Sequence, residues 1–141
     1  RARLSVPPGF SSITIRTPLD AEFEYWNLIP DAKLSLSLHM YNLEGVCIFN
    51  SDSTPRNYPI GLIREICHIP GDLLNDGTYN ITIVVVQESS FGIYEHEDIL
   101  VFDAIEGERD INWYGKWPGA VRPKLNWTTE FINPPENISL L

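Results

Sequence analysis

Lys33-Leu34-Ser35-Leu36-Ser37-Leu38-His39-Met40-Tyr41 alternates apolar and polar residues without a break. Successive side chains of an extended chain leave on opposite sides, so this run places Leu34, Leu36, Leu38 and Met40 on one face. It predicts a half-buried β-strand. Such a strand needs neighbours to pair with and a second apolar layer to cover it, and the rest of the chain supplies both.

Upstream, Ile13 to Arg16 and Glu22 to Trp26 alternate in the same way, with Pro18 and Asp20 marking a turn between them. Downstream, Gly45 to Phe49 reads as a short strand closed by the turn-rich Asn50-Ser51-Asp52-Ser53-Thr54-Pro55. Ile60 to Ile69 reads as another, broken by Pro70-Gly71-Asp72, and a turn near Leu73 carries the sole helical hint before the tight turn Asn75-Asp76-Gly77. Thr78 to Gln87, with Ile81, Ile83, Val84, Val85 and Val86, is apolar on both faces and predicts a central strand covered from two sides. Glu88-Ser89-Ser90-Phe91-Gly92 turns the chain toward Ile99 to Ile105, with Leu100 and Phe102 on one face and Val101 on the other. Ala120 to Arg122 and Asn126 to Phe131, parted by Pro123, are short strand candidates. About eight strands at this spacing, with no sustained helical period, predict an all-β fold: an antiparallel β-sandwich of immunoglobulin-like or jelly-roll type.

With 141 residues the chain has the length of one domain, and no apolar run approaches the roughly 20 residues of a membrane helix. Residues 1–131 are expected to form the sandwich and 132–141 an arm set off by Pro134-Pro135. The start, Arg1-Ala2-Arg3, has neither Met nor an apolar leader and is read as the cut end of a longer protein. A net charge of -9 repels phosphate backbones and anionic membranes, which argues against nucleic acid as a partner. Cys47 and Cys67 lie in apolar runs and are read as free, buried thiols. Their spacing is short for an antibody-type bridge, and the Trp that such a domain places between its cysteines is missing. The sequons at Asn80, Asn126 and Asn137 are read as chance.

The chemistry is defined as much by what is missing from the sequence. There is no Gly-rich phosphate loop, Cys-x-x-Cys pair or His-x-x-x-His spacing, so no cofactor and no metal are implied. Glu95-His96-Glu97-Asp98 is the densest polar cluster, but it lacks the spaced Asp or Asn and the Gly of a Ca²⁺ loop and reads as a solvated loop. His39, His68 and His96 are scattered, and no pair of carboxylates is singled out for glycoside hydrolysis. More informative are Trp113, Tyr114, Trp117 and Trp127, crowded among Gly, Pro, Asn and basic residues. Flat aromatic faces pack on the C–H faces of sugar rings while neighbouring polar groups bond hydroxyls.

The order of features from Ile69 onward, "IPGDLLNDGTYNITIVVVQ…DILVFDAIEG…WYGKWPGAVRPKLNW", resembles the C-terminal carbohydrate-binding domain of Wzt, the ATP-binding subunit of bacterial ABC transporters that export O-antigen and related polysaccharides. Leu73-Leu74 before Gly77-x-Tyr79, the Phe102 strand, Gly115, Gly119-x-Val121-Arg122-Pro123 and Trp127 carry the likeness. Upstream, Glu44-Gly45 followed by Phe49 is similar too. The resemblance implies a non-catalytic β-sandwich attached to an ATPase, acting in the cytoplasm at the inner membrane with a permease subunit. It also implies a homodimer that exchanges the C-terminal strand. The expected glycan contacts are Trp113, Tyr114, Trp117, Arg122 and Trp127, with Tyr94 and His96 from the neighbouring loop. Two other classes compete: a structural or adhesive module of a cell-surface protein, favoured by a Cys47–Cys67 bridge, and a glycosidase accessory domain.

Overall fold

A computed structural model describes residues 1–107 and 115–132. It contains β1 (Ala2–Ser5), β2 (Leu19–Asn27), β3 (Ala32–Asn42), β4 (Cys47–Asp52), β5 (Arg56–Tyr58), β6 (Gly61–Ile69), β7 (Gly77–Gln87) and β8 (Phe91–Ala104), and no helix among the described residues. Every pairing between these strands is antiparallel. One sheet has the order β1-β2-β6, and the other runs β4-β3-β7-β8 with β5 also on β3. The all-β sandwich expected from the sequence is therefore present.

The alternation sets the core. Leu36, Leu38 and Met40 of β3 stand opposite Val85, Ile83 and Ile81 of β7, so all six side chains leave the sheet on one side. Leu19, Ala21 and Phe23 of β2 close on them from the smaller sheet, and Phe23, Met40 and Ile81 are almost wholly buried. Truncating Phe23 to Ala would cost about 3–5 kcal/mol by the usual penalty for a core cavity. The strand β7 is central within its sheet, but it is covered on one face only: Tyr79, Ile81, Ile83 and Val85 point into the core, while Asn80 and Val84 are partly exposed outward.

The boundaries differ from the alternation where a local or a pairing force outweighs it. Ile13 to Arg16 is not a strand; Thr14 and Thr17 bend the chain, the Thr14 amide donating to Thr17 Oγ1 at 3.0 Å and the Arg16 amide to Thr14 Oγ1 at 3.2 Å. Only an isolated bridge from Thr14 to Ile105 is left there. Asp20 belongs to β2 and not to a turn. Asn50, Ser51 and Asp52, turn formers by type, extend β4 because they pair with His39, Leu38 and Ser37. The turn instead lies at Asn42–Gly45, where Gly45 holds φ of 81° that a side chain would resist.

Phe91 and Gly92 likewise belong to β8, the turn tightening to Glu88–Ser90 with Glu88 and Ser89 left-handed. Ala120 to Arg122 reduces to one bridge between Val121 and Leu74, and Asn126 to Phe131 is not a strand. Both thiols are free, but Cys47 is exposed on the edge strand β4 and only Cys67 is partly buried. No helix is long and apolar enough to cross a membrane among the described residues.

Candidate functional site

The first half of β8, Phe91 to Asp98, is exposed throughout, although it pairs along β7. Its inner side faces the end of β2 across an open edge of the sandwich. Between them lies a cleft of about 650 Å³, whose floor is made by the core residues Leu34, Ile83 and Val85. Its walls are Tyr25 and Trp26 from one sheet and Ile93, Tyr94 and His96 from the other, with Leu28 and Ile29 at the mouth.

Three local arrangements hold those walls. Asn27 is buried, and its side-chain amide donates to the carbonyls of Ile29 at 2.8 Å and Pro59 at 2.9 Å, which fixes the corner carrying Leu28 and Ile29. Tyr25 donates its phenol hydrogen to Glu65 Oε2 at 2.7 Å; burial first, and the Glu65 carboxylate second, push its pKa well above the ordinary phenol range. The rings of Tyr94 and His96 meet edge to face at 6.3 Å, with the Tyr94 hydroxyl 3.3 Å from His96 Nδ1. Trp26 is 68% exposed. An indole left in water in a cleft that the rings of Tyr25, Tyr94 and His96 also line, over an apolar floor, is a surface for a ligand with flat apolar faces and a few polar groups.

The site residues expected from the sequence separate into three sets. Tyr94 and His96 are in this cleft. Trp117 and Arg122 are at the far end of the sandwich, where they engage one another: the guanidinium carbon of Arg122 sits 4.2 Å from the Trp117 ring centroid. The same guanidinium donates to both carboxylate oxygens of Glu106, at 2.6 and 2.7 Å. The buried Asn75 donates to the Trp117 and Gly119 carbonyls at 2.7 and 2.8 Å, and the Arg122 amide donates to the Leu73 carbonyl at 2.7 Å. Trp127 belongs to neither set; it is 88% exposed on an extended segment. Trp113 and Tyr114 lie outside the described residues.

Sequence reasoning missed Trp26 and Tyr25. Parity in Leu19–Asn27 turns odd positions inward and so offered a signal for Tyr25; for Trp26, an exposed even position that lines the cleft, it offered none. Of the three histidines, His39 bonds Ser37 at 2.9 Å, His68 bonds Asp20 at 2.6 Å on the outer surface, and His96 alone enters the cleft. No cluster of three metal-ligating side chains is present among the described residues.

In architecture the domain is a two-sheet antiparallel β-sandwich with an aromatic cleft at one open edge. Among solved structures it is similar to the crystal structure of the C-terminal domain of wzt, with a TM-score of 0.67 over 92% of this chain and 81% of that one, at 12% identity. At that identity the likeness is one of fold. A bacterial adhesin from Mobiluncus mulieris with intramolecular disulfide, isopeptide and ester bond cross-links superimposes over 78% of this chain and 49% of its own, at 6% identity and a TM-score of 0.45, too loosely to bear on function. No protein-family model matches the sequence, and no curated protein matches it.

Proposed function

We propose that the domain binds a carbohydrate polymer without transforming it, and that the cleft between Trp26 and Tyr94 is where a sugar ring is held. The observation that carries this reading is the convergence of Tyr25, Trp26, Tyr94 and His96, from two different sheets, on one solvent-open cleft. Ring faces stack on sugar C–H surfaces, and Glu24, the Tyr94 hydroxyl and His96 meet hydroxyl groups at the rim. Trp117 and Arg122 are assigned to holding the C-terminal segment. Trp113, Tyr114 and Trp127 are kept as contacts to the polymer.

The fold likeness supports a finer version. The glycan is an O-antigen-type polysaccharide recognised for export by an ABC transporter, the domain working in the cytoplasm beside a permease subunit and as a homodimer. Leu125, Trp127, Phe131 and Ile132 are all more than half exposed in a single copy, which supports exchange of the arm 132–141 between partners. Free thiols at Cys47 and Cys67 do not supply the bridge that an adhesive module would favour.

Calorimetric titration with a panel of defined linear oligosaccharides tests the reading. Binding by at least one member is expected, weakened about tenfold by Trp26→Ala, which corresponds to roughly 1.4 kcal/mol. Undiminished binding in a folded Trp26→Ala, Tyr94→Ala double variant would remove the cleft from the site.

A further inference from the structure

The inner side of the first half of β8 looks into the aromatic cleft, and its outer side looks over a different surface. On the outer face of the larger sheet two adjoining grooves, of about 420 and 470 Å³, follow successive outward positions of β3 and β7. One is floored by Ser35 and Ser37 and the next is reached at Tyr41, so the trough spans about six residue steps of β3, or roughly 20 Å. That is the shape for an extended ligand lying along the strands.

The floor is made of hydroxyls at unusual depth. Ser35, Ser37 and Thr82 are only 5%, 7% and 6% exposed, although they sit on the side of the sheet away from the core. Ser37 bonds His39, and Thr82 accepts from the Asp98 amide at 3.3 Å. The Ser35 hydroxyl lines the first of the two grooves. A hydroxyl so placed can donate to or accept from a ligand lying along the floor.

The wall is made by an irregularity. Ile81 pairs with Leu100 and Ile83 with His96, so Glu97, Asp98 and Ile99 stand against the single residue Thr82. This bulge puts Asp98 at φ of 50°, and it is held there by the Asn80 side-chain amide, which donates to Asp98 Oδ1. Bulges of this kind re-aim side chains and gather at binding sites. Here Glu97 and Asp98, with Glu95, line the trough. On the other wall the rings of His39 and Tyr41 lie nearly parallel, 12° apart and 6.4 Å between centroids.

Charge then selects the ligand. No Lys or Arg lines either groove, whereas Glu95, Glu97, Asp98 and Asp52 do. Carboxylates accept hydrogen bonds from hydroxyl donors and repel carboxylate, sulfate or phosphate groups brought against them. We infer that the trough is a second glycan site, which holds an uncharged polysaccharide lengthwise and excludes acidic ones. The inference rests on the glycan-binding reading above but on none of the cleft residues.

Amide shift mapping on the ¹⁵N-labelled domain distinguishes the two. The probes are linear hexamers of mannose, glucose and galactose, a hexamer of galacturonate, and a Lys-rich peptide. At least one neutral hexamer is expected to move the amides of Ser35, Ser37, Thr82 and Glu97, with an affinity that Glu97→Ala or Ser37→Phe lowers about tenfold. Galacturonate is expected to leave those amides still in the native domain and to move them once Glu95→Gln, Glu97→Gln and Asp98→Asn are combined. Response of the cleft amides with a silent trough overturns this inference and spares the cleft. Silence everywhere overturns both. Equal response of the trough to galacturonate, or response to the peptide alone, overturns it too. The mapping on the native domain needs no variant, so misfolding of Ser37→Phe leaves the outcome readable.

Discussion

The two ends of the sandwich handle aromatic side chains in opposite ways. At one end Arg122 covers Trp117, Glu106 neutralises the guanidinium, and Asn75 ties down the backbone on either side. At the other, Trp26 and Tyr94 keep more than half of their surface in water over a floor of core side chains. Tyr94 pairs with Val85, and Asn75 precedes Gly77, so the ends are separated by at least eight residues of β7, or about 26 Å. A ring engaged by a salt-bridged arginine and a network of backbone bonds contributes to stability. A ring with nothing over it is free to contribute to binding. Neighbours in sequence, such as Trp117 and Trp127, fall on different sides of that divide.

The largest effect is expected at the closed end. Asn75→Ala removes the bonds to the Trp117 and Gly119 carbonyls and its own acceptance from the Asp76 amide, a loss of about 2–3 kcal/mol in urea unfolding. Glycan affinity in the folded variant should not change. If it falls in step with stability, the two ends are coupled and the contrast between them fails. At the open end Trp26→Ala should reverse the pattern, weakening binding about tenfold while shifting stability by less than about 0.5 kcal/mol.

Between these lies Tyr25, which lines the cleft yet hydrogen-bonds within the fold. Tyr25→Phe should cost about 1 kcal/mol near neutral pH through the lost bond to Glu65. The native phenol is held protonated, its folded-state pKa raised above the ordinary 10.0. Its contribution is therefore complete below about pH 10 and declines as pH rises through the raised folded-state value. The variant should lose less stability than the native domain between neutral pH and about pH 11, as measured by unfolding at each pH. An identical alkaline decline in both proteins would show that Tyr25 is not coupled to the fold.

The sandwich was legible because β3 and β7 are long enough for the period of two to stand out, and Leu36, Leu38 and Met40 face Val85, Ile83 and Ile81 as the alternation requires. Ala2–Ser5 and Arg56–Tyr58 are too short to carry a period, and Asn50–Asp52 is a strand only because β3 lies beside it. The site was half legible. Tyr94 and His96 were expected on a loop beside the late aromatic cluster; they lie instead on β8 at the other end of the sandwich, and the rings that line the cleft with them are Tyr25 and Trp26, an arrangement that no local pattern encodes. Ser35 and Ser37 read as a solvated face because alternation reports direction and not depth; the walls that bury them come from β7, β8 and the Ser53–Pro55 corner.

Trp127 gives the smallest expected effect and the sharpest division between the ends. Its ring is 88% exposed, so Trp127→Ala removes almost no buried area from a single copy and should move the unfolding midpoint by an amount equivalent to less than about 0.5 kcal/mol. Leu125, Phe131 and Ile132 are exposed beside it, a concentration of apolar side chains that one copy leaves uncovered. Stability should therefore depend on protein concentration if the segment docks on a partner, and Trp127→Ala should then abolish that dependence while leaving the dilute domain as stable as before. Unfolding curves collected across a hundredfold range of concentration read both quantities at once. A large loss at the lowest concentration would show that Trp127 is held by its own sandwich, and would place it with Trp117 at the closed end.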